Sequence, residues 1–442
     1  MATSEAVRLH PAIGSIDTNV EISGSKSLTN RALILAALAE ASSVSEVRGI
    51  LHCDDSHWCI SALRTLGTHI DIEGTTVKVH GCGGSWPVTN AEVYTGSSGT
   101  LSRLLPPALA TGEGKFTLQA SEQMSRRPVG PLLDALSTLG ARVEFLQEPG
   151  YYPFVLHAQG LEGLEVEVPG NVSSQYLSGL LMAAPLAKGP VTVKLQGSLV
   201  QPAYIDLTIR LMHDFGVSVE SVTTDENTEE TSAFLVTPQA YTARTVTLEA
   251  DASTAGYFFA AAALTKGRVR VTNLDSRTVQ PDIKLLEVLE RMGAKVLRGE
   301  GWTEIQGPDK LRGGFSVSLH EFSDQALTVG ALAVFADAPV TVTDVAHIRK
   351  HESDRIAALH ECLTRLDIRM DETLDGFTVY PGPVNPARLP TFDDHRVAMS
   401  MSLIGAVVPG IELLNPGCVS KTCPDFFERW AAIGVGVEML DS

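Results

Sequence analysis

The sequence predicts an α/β chain of two domains, each built from three repeats of a helix and paired strands. Three observations carry this reading. The chain has 442 residues, more than one hydrophobic core usually serves. One pattern recurs six times: an amphipathic helix, a turn residue suited to the left-handed region, then two alternating strands. The turn residues Gly67, Gly140, Gly216, Gly293, Asp367 and Gly434 fall roughly 70 to 75 residues apart on average, which is the spacing of a supersecondary unit. Asp367 replaces glycine at little cost, since Asp tolerates that backbone region better than most residues.

The elements follow in order. RALILAALAE is alanine- and leucine-rich behind a polar loop and predicts a buried helix. ISALRTLG, from Ile60, has leucines at helical spacing, and THIDIEGTTVKVHG alternates as two strands about a glycine turn. The same grammar returns at Leu132, Leu207, Leu285, Leu359 and Phe426. AGYFFAAAAL predicts a second buried helix, and the polar stretch Leu235–Ser253 between these halves is where the chain is expected to cross from one domain to the other.

Composition narrows the function. A formal net charge of −18 argues against binding nucleic acid or an anionic membrane face through bulk charge. An anionic small molecule would need local lysines and arginines to overcome that field. The six cysteines form no CxxC pair and no zinc-finger spacing, so they are expected as buried reduced thiols. The first residues lack the basic and apolar regions of a secretory signal, and no apolar run is long enough to span a bilayer as a helix. The expectation is a cytoplasmic, monomeric protein.

Five regions concentrate groups suited to an anion. GSKSLTNR offers Ser25, Lys26, Ser27 and Arg31 at the start of a helix whose free N–H groups favour negative charge. It lacks the Walker A spacing. TGSSGTLSRLLPPAL has Gly96 and Gly99, where backbone can approach a ligand, followed by Arg103. MSRRPVGPLLDAL places Arg126 and Arg127 before Pro128, a residue suited to a first helical turn; adjacent side chains diverge, so one of the two arginines is expected at a site and Arg126 at the surface. NVSSQYLSGLL presents Ser173, Ser174 and Gln175 at a helix start, where simple N-capping explains one serine but not all three polar groups. The C-terminal half adds Asp324 in FSDQA, Glu352 and Arg355 on one helix end in HIRKHESDRIAAL, His395 and Arg396 in DDHRVAM, and Lys421 in SKTCPDF. For any one of these, a scattered surface ion pair is the competing explanation.

Taken together, the loops resemble the 5-enolpyruvylshikimate-3-phosphate (EPSP) synthase family. The resemblance runs through GSKSLTNRALILAALA, Asp54 and Asp55, GSSGTLSRLL, RRPVGPLLDAL, SSQYLSGLL, YIDLT, EADASTAGYFFAAAAL, SDQA, HESDRIAAL, DDHRVAMSMSLIG and KTCPDFFERW, in the family's order along almost the whole chain. It implies a two-domain inside-out α/β barrel, residues 26–246 forming one domain and residues 1–25 with 247–442 the other. It implies transfer of the enolpyruvyl group of phosphoenolpyruvate to the 5-hydroxyl of shikimate 3-phosphate, with no metal or organic cofactor. By position, Lys26, Ser27, Arg31, Ser173, Ser174, Gln175, Tyr204, Asp324 and His351 are the implied shikimate 3-phosphate contacts. Lys26, Gly99, Arg127, Arg355, Arg396 and Lys421 are the implied phosphoenolpyruvate contacts. Asp324 is implied to orient or deprotonate the acceptor hydroxyl, and Glu352, in competition with Lys26, to protonate carbon. Competitive inhibition by glyphosate is a further expectation.

Four positions depart from the commonest family pattern. Ser97 and His347 stand where Asn is common, Gln201 or its neighbours lie where a Ser usually precedes the Tyr, and His351 replaces Lys before Glu352. A lysine there is a permanent cation, whereas histidine is charged only below about pH 6.5 unless perturbed. These changes fall mainly on the acceptor side and keep one alternative open, an enolpyruvyl transferase acting on a different hydroxylated acceptor. A nucleotide-sugar transferase of related fold is disfavoured, because ASEQMSRRP lacks the cysteine expected just before its Arg-Pro motif.

Overall fold

The computed structural model describes residues 5–170, 172–197, 199, 202–222 and 233–440. Two compact units make up the chain: Gly24–Glu249 forms one, and the segments up to Ser23 and from Ala250 onward form the other. Among the described residues each unit holds three four-stranded sheets.

All six sheets share one arrangement, in which a parallel pair is followed by two antiparallel strands. In one example, Asn90–Tyr94 runs parallel to Glu113–Gln119, which pairs antiparallel with Phe154–Gln159, and that strand pairs antiparallel with Arg142–Phe145. Along the chain the repeat reads strand, helix, strand, helix, strand, strand. The second helix of each repeat ends at one of the six turn residues, and all six have positive φ, Asp367 at 61°. The Asp367 carboxylate accepts a bond from Asn385 Nδ2 at 3.1 Å.

The first strands depart from this simple order. Asp17–Val20 precedes the helix Lys26–Leu38 in sequence but pairs with Arg268–Val271 in the other unit's repeat. Thr245–Thr247, which precedes the helix Ala252–Leu264, pairs in turn with Val44–Arg48. The N-terminal strand Ala6–His10 completes the last sheet between Ile411–Leu414 and Gly436–Leu440.

The first helix of each repeat is buried almost all round. In Lys26–Leu38 every residue from Leu28 onward is buried, as expected where apolar side chains occupy every face. Leu101–Ala110 packs against both Lys26–Leu38 and Ser174–Ala183, and in the other unit Ala252–Leu264, Ala326–Ala333 and His395–Gly405 pack against one another. Each unit has its own hydrophobic core around these helices. A prolyl pair, Pro106 and Pro107, lies inside Leu101–Ala110. Pro106 cannot donate to the Ser102 carbonyl, and the buried Tyr152 hydroxyl supplies that bond at 2.8 Å.

Two local expectations are corrected. Pro128 lies before its helix, which spans Gly130–Thr138 and takes Pro131 in its first turn. Glu352 also lies outside a helix, in the loop before Arg355–Arg365, because Asp354 caps that helix by accepting from Ala357 N. The cysteines are all buried and free, and no helix among the described residues is long and apolar enough to cross a membrane.

Candidate active site

In the unit Gly24–Glu249 the polar loops open the three buried helices. Gly24 is forced by space, since a Cβ there would lie 1.7 Å from the Gly49 carbonyl oxygen. Lys26 is the first helical residue, and its Nζ stands 3.7 Å from Oδ2 of the buried Asp55, in the first turn of Asp54–Thr65. Arg31 is 1% exposed. Its Nε donates to Thr208 Oγ1 at 2.7 Å, Nη1 to the Ser27 carbonyl at 3.0 Å and Nη2 to Ser178 Oγ at 3.2 Å. The guanidinium stacks 5.9 Å from the Tyr204 ring. Burial lowers the Arg31 pKa to about 10, which leaves it cationic at neutral pH.

A second group surrounds Gly99. Arg103 Nη1 donates to Gln175 Oε1 at 2.8 Å and to the Gly99 carbonyl at 3.3 Å, while Gln175 Nε2 donates to Thr100 Oγ1 at 3.2 Å. Ser173 caps the helix Ser174–Ala183 by accepting from Gln175 N. A Cβ on Gly99 would meet Arg127 Nη1 at 2.7 Å and Arg103 Nη1 at 2.9 Å, so a methyl group would push both guanidiniums aside. Gly99→Ala is therefore expected to weaken binding of a small anion such as phosphate at these guanidiniums by roughly tenfold, about 1.4 kcal/mol, with little change in thermal stability. Phosphate titration of the variant and the parent chain checks this. Arg126, by contrast, is exposed and paired with Glu122.

The other unit gathers five charged groups around one guanidinium. Arg355, 2% exposed, opens Arg355–Arg365. Its Nε donates to Asp394 Oδ2 at 2.9 Å, Nη1 to Asp324 Oδ1 at 3.0 Å and Nη2 to Glu352 Oε2 at 2.8 Å. Glu352 Oε1 also faces Lys421 Nζ at 3.0 Å, and Asp324 Oδ2 accepts from Arg396 Nη2 at 2.7 Å. Asp394 caps His395–Gly405 through Arg396 N, and Ser353 Oγ donates to it at 2.9 Å. Burial works against the charge on Arg355, but Asp394, Glu352 and Asp324 outweigh it and raise its pKa.

The histidines here are held neutral. Arg355 Nη1 lies 3.0 Å from His351 Nδ1 and can only donate, so Nδ1 accepts and Nε2 carries the proton. Burial, then the Arg355 charge, holds His351 well below the ordinary imidazole range. His347, 2.7 Å from Ser323 Oγ, is lowered to about 4 by burial and then by His320. Because the folded value of His347 lies below the unfolded one, its contribution to stability is present above pH 6.5 and is lost as the pH falls towards 4. Asp282, raised to about 6 by burial and then by Asp324, acts in the opposite sense. His347→Asn, compared with the parent chain, is therefore expected to recover roughly 2 kcal/mol of stability at pH 4.5 and almost none at pH 7.5. Urea unfolding at the two pH values measures the difference.

The predicted residues thus fall into two sets. Lys26, Ser27, Arg31, Gly99, Arg127, Ser173, Ser174, Gln175 and Tyr204 belong to one unit; Asp324, His351, Glu352, Arg355, Arg396 and Lys421 belong to the other and form one connected network. Gln201 lies outside the described residues. Sequence reasoning gave no role to Asp394, the buried partner of Arg355, or to Asp282. It also left Arg103, which joins Gly99 to Gln175, outside the site. The adjacent polar motifs DDHR and GTLSR were the available signals.

Comparison with known proteins identifies the family. The family model for EPSP synthase (3-phosphoshikimate 1-carboxyvinyltransferase) matches residues 11–430. A 3-phosphoshikimate 1-carboxyvinyltransferase 2 from Halalkalibacterium halodurans is 49% identical over 98% of this chain and 95% of its own length. A 3-phosphoshikimate 1-carboxyvinyltransferase from Trichormus variabilis is 41% identical over 94% of this chain and 96% of its own. The solved EPSP synthase from Acinetobacter baumannii superposes with a TM-score of 0.80 over 98% of this chain and 99% of that one, at 24% identity, and so shares the fold. The chain belongs to the EPSP synthase (3-phosphoshikimate 1-carboxyvinyltransferase) family of transferases.

Proposed function

We propose that this chain transfers the enolpyruvyl group of phosphoenolpyruvate to the 5-hydroxyl of shikimate 3-phosphate, releasing phosphate, in the shikimate pathway. The observation that carries the proposal is the buried network in which Arg355, Arg396 and Lys421 converge on Asp324 and Glu352. Phosphoenolpyruvate brings a phosphate and a carboxylate, and fixed guanidinium and ammonium groups bind both. Arg355, Arg396, Lys421 and Arg127 take this role, and Gly99 leaves room for Arg127 beside the ligand.

Asp324 accepts the proton of the attacking hydroxyl, whose oxygen bonds to C2 of phosphoenolpyruvate. Lys26, or Glu352 in its protonated form, supplies the proton to C3, giving a tetrahedral adduct that carries both oxygen substituents and a methyl group. Loss of a C3 proton and departure of phosphate then restore the double bond. Lys26, Ser27, Ser173, Ser174, Gln175 and Tyr204 hold the acceptor, with His351 offering a neutral Nε2–H. Arg31 serves the acceptor with its charge and with the N–H groups not engaged by Thr208, the Ser27 carbonyl and Ser178. An inside-out α/β barrel in each unit belongs to the same reading, supported by the three equivalent sheets and packed helices of each.

A second acceptor is the alternative that His347 and His351 favour, because neutral imidazoles replace the Asn and Lys common at those places. Phosphate release from phosphoenolpyruvate decides between them. Release is expected to require added shikimate 3-phosphate. Tight phosphoenolpyruvate binding without turnover on that acceptor would instead favour a different hydroxylated acceptor.

A further inference from the structure

Away from the residues described above, the hairpin Ile70–Glu73 with Thr76–His80 carries a second group of chemistry-bearing side chains. Ile70 pairs with Val79, so His69 and His80 stand opposite each other across the strands, and the backbone bond from His80 N to the His69 carbonyl continues the ladder at 3.0 Å. Side chains two apart in a strand share a face, which places Asp71 beside His69. The His69 and His80 rings meet edge to face with centroids 4.7 Å apart. His69 Nε2 lies 3.3 Å from Asp71 Oδ2, and one ligand atom from each of the three residues falls within 4.8 Å of the others.

We propose that His69, Asp71 and His80 bind a divalent transition metal of the class that imidazole prefers, zinc, nickel or copper, with the remaining coordination position open to water. Ligand atoms about 2.0–2.1 Å from a tetrahedral zinc stand roughly 3.4 Å apart, close to the His69–Asp71 separation, and small rotamer changes bring His80 to the same point. Two imidazoles with one carboxylate suit these metals better than magnesium or calcium, which favour all-oxygen sets. An ion pair would account for His69 and Asp71 alone, whereas His80 brings a third ligand atom to the same point from the facing strand. The strand Ile70–Glu73 is the edge of its sheet. A bound metal would clamp the open end of the hairpin, opposite the Gly74 turn, and stabilise an edge that is otherwise held on one side. None of the three residues belongs to the proposed catalytic machinery.

Zinc titration against a chromophoric chelator, paired with thermal unfolding, tests the site. The parent chain is expected to bind one equivalent and to show a zinc-dependent rise in Tm. His69→Ala and His80→Ala should each weaken binding by at least about tenfold, since losing even an outer-shell partner of a metal site costs 10–100-fold, and should abolish the rise in Tm. Asp71→Asn should weaken binding less. Unchanged turnover in the variants shows that they fold. Electron paramagnetic resonance of the copper-loaded chain should show two coordinated nitrogens. Absence of saturable binding at high micromolar zinc, or binding of equal stoichiometry and affinity in the His69→Ala/His80→Ala double variant, would overturn the proposal and, in the second case, place the metal elsewhere, for instance on the thiols.

Discussion

Asp324→Asn is expected to lower kcat by about 10²–10⁴-fold while changing KM for phosphoenolpyruvate by less than about threefold. The carboxylate accepts from two guanidiniums, one on each oxygen, which fixes its orientation within the buried network. Asparagine preserves shape and one acceptor but cannot take a proton from the attacking hydroxyl. Its amide would also turn an N–H group towards either Arg355 or Arg396, so a modest loss of thermal stability accompanies the kinetic effect. Rates that persist at parental levels would remove Asp324 as the base and leave it as a holder of the two arginines. A rise in KM alone would mean that it serves binding only.

Arg355→Met should be the most damaging single change to stability, costing roughly 3–5 kcal/mol, because a buried ion pair broken from one side leaves uncompensated charge. Here one guanidinium serves Asp324, Glu352 and Asp394, and Asp394 is wholly buried. Arg355→Lys would keep the charge yet lose the fork that reaches three carboxylates at once, so it should recover only part of the loss. Denaturant unfolding of both variants at pH 7.5 separates these terms. Near-parental stability in Arg355→Met would show that the carboxylates are already satisfied by Arg396, Lys421 and Ser353.

The repeats were legible in the sequence because their signals are local. A helix ending at a residue able to take positive φ, followed by alternation, can be read within about twenty residues, and Asp367 fits the pattern as well as the five glycines do. The exchange of first strands was not legible. Asp17–Val20 and Thr245–Thr247 are short and polar, and their sheet partners lie far along the chain, so nothing nearby states which sheet receives them. Lysines and arginines in polar loops before apolar helices stood out because such residues are rarely buried without purpose. Their carboxylate partners did not. Asp394 reads as an ordinary N-cap, which it also is, and its second role with Arg355 depends on a contact across 39 positions. His351 was legible as a departure, but its tautomer follows only from the guanidinium beside it.

Turnover in deuterium oxide with phosphoenolpyruvate and shikimate 3-phosphate, read by mass spectrometry of the product, tests the central assignment most directly. Addition of the hydroxyl and elimination of phosphate pass through a methyl group at C3. The expected product is therefore 5-enolpyruvylshikimate 3-phosphate carrying deuterium in its methylene, formed in step with phosphate. No such product in the presence of both substrates, with phosphoenolpyruvate still bound, would contradict it.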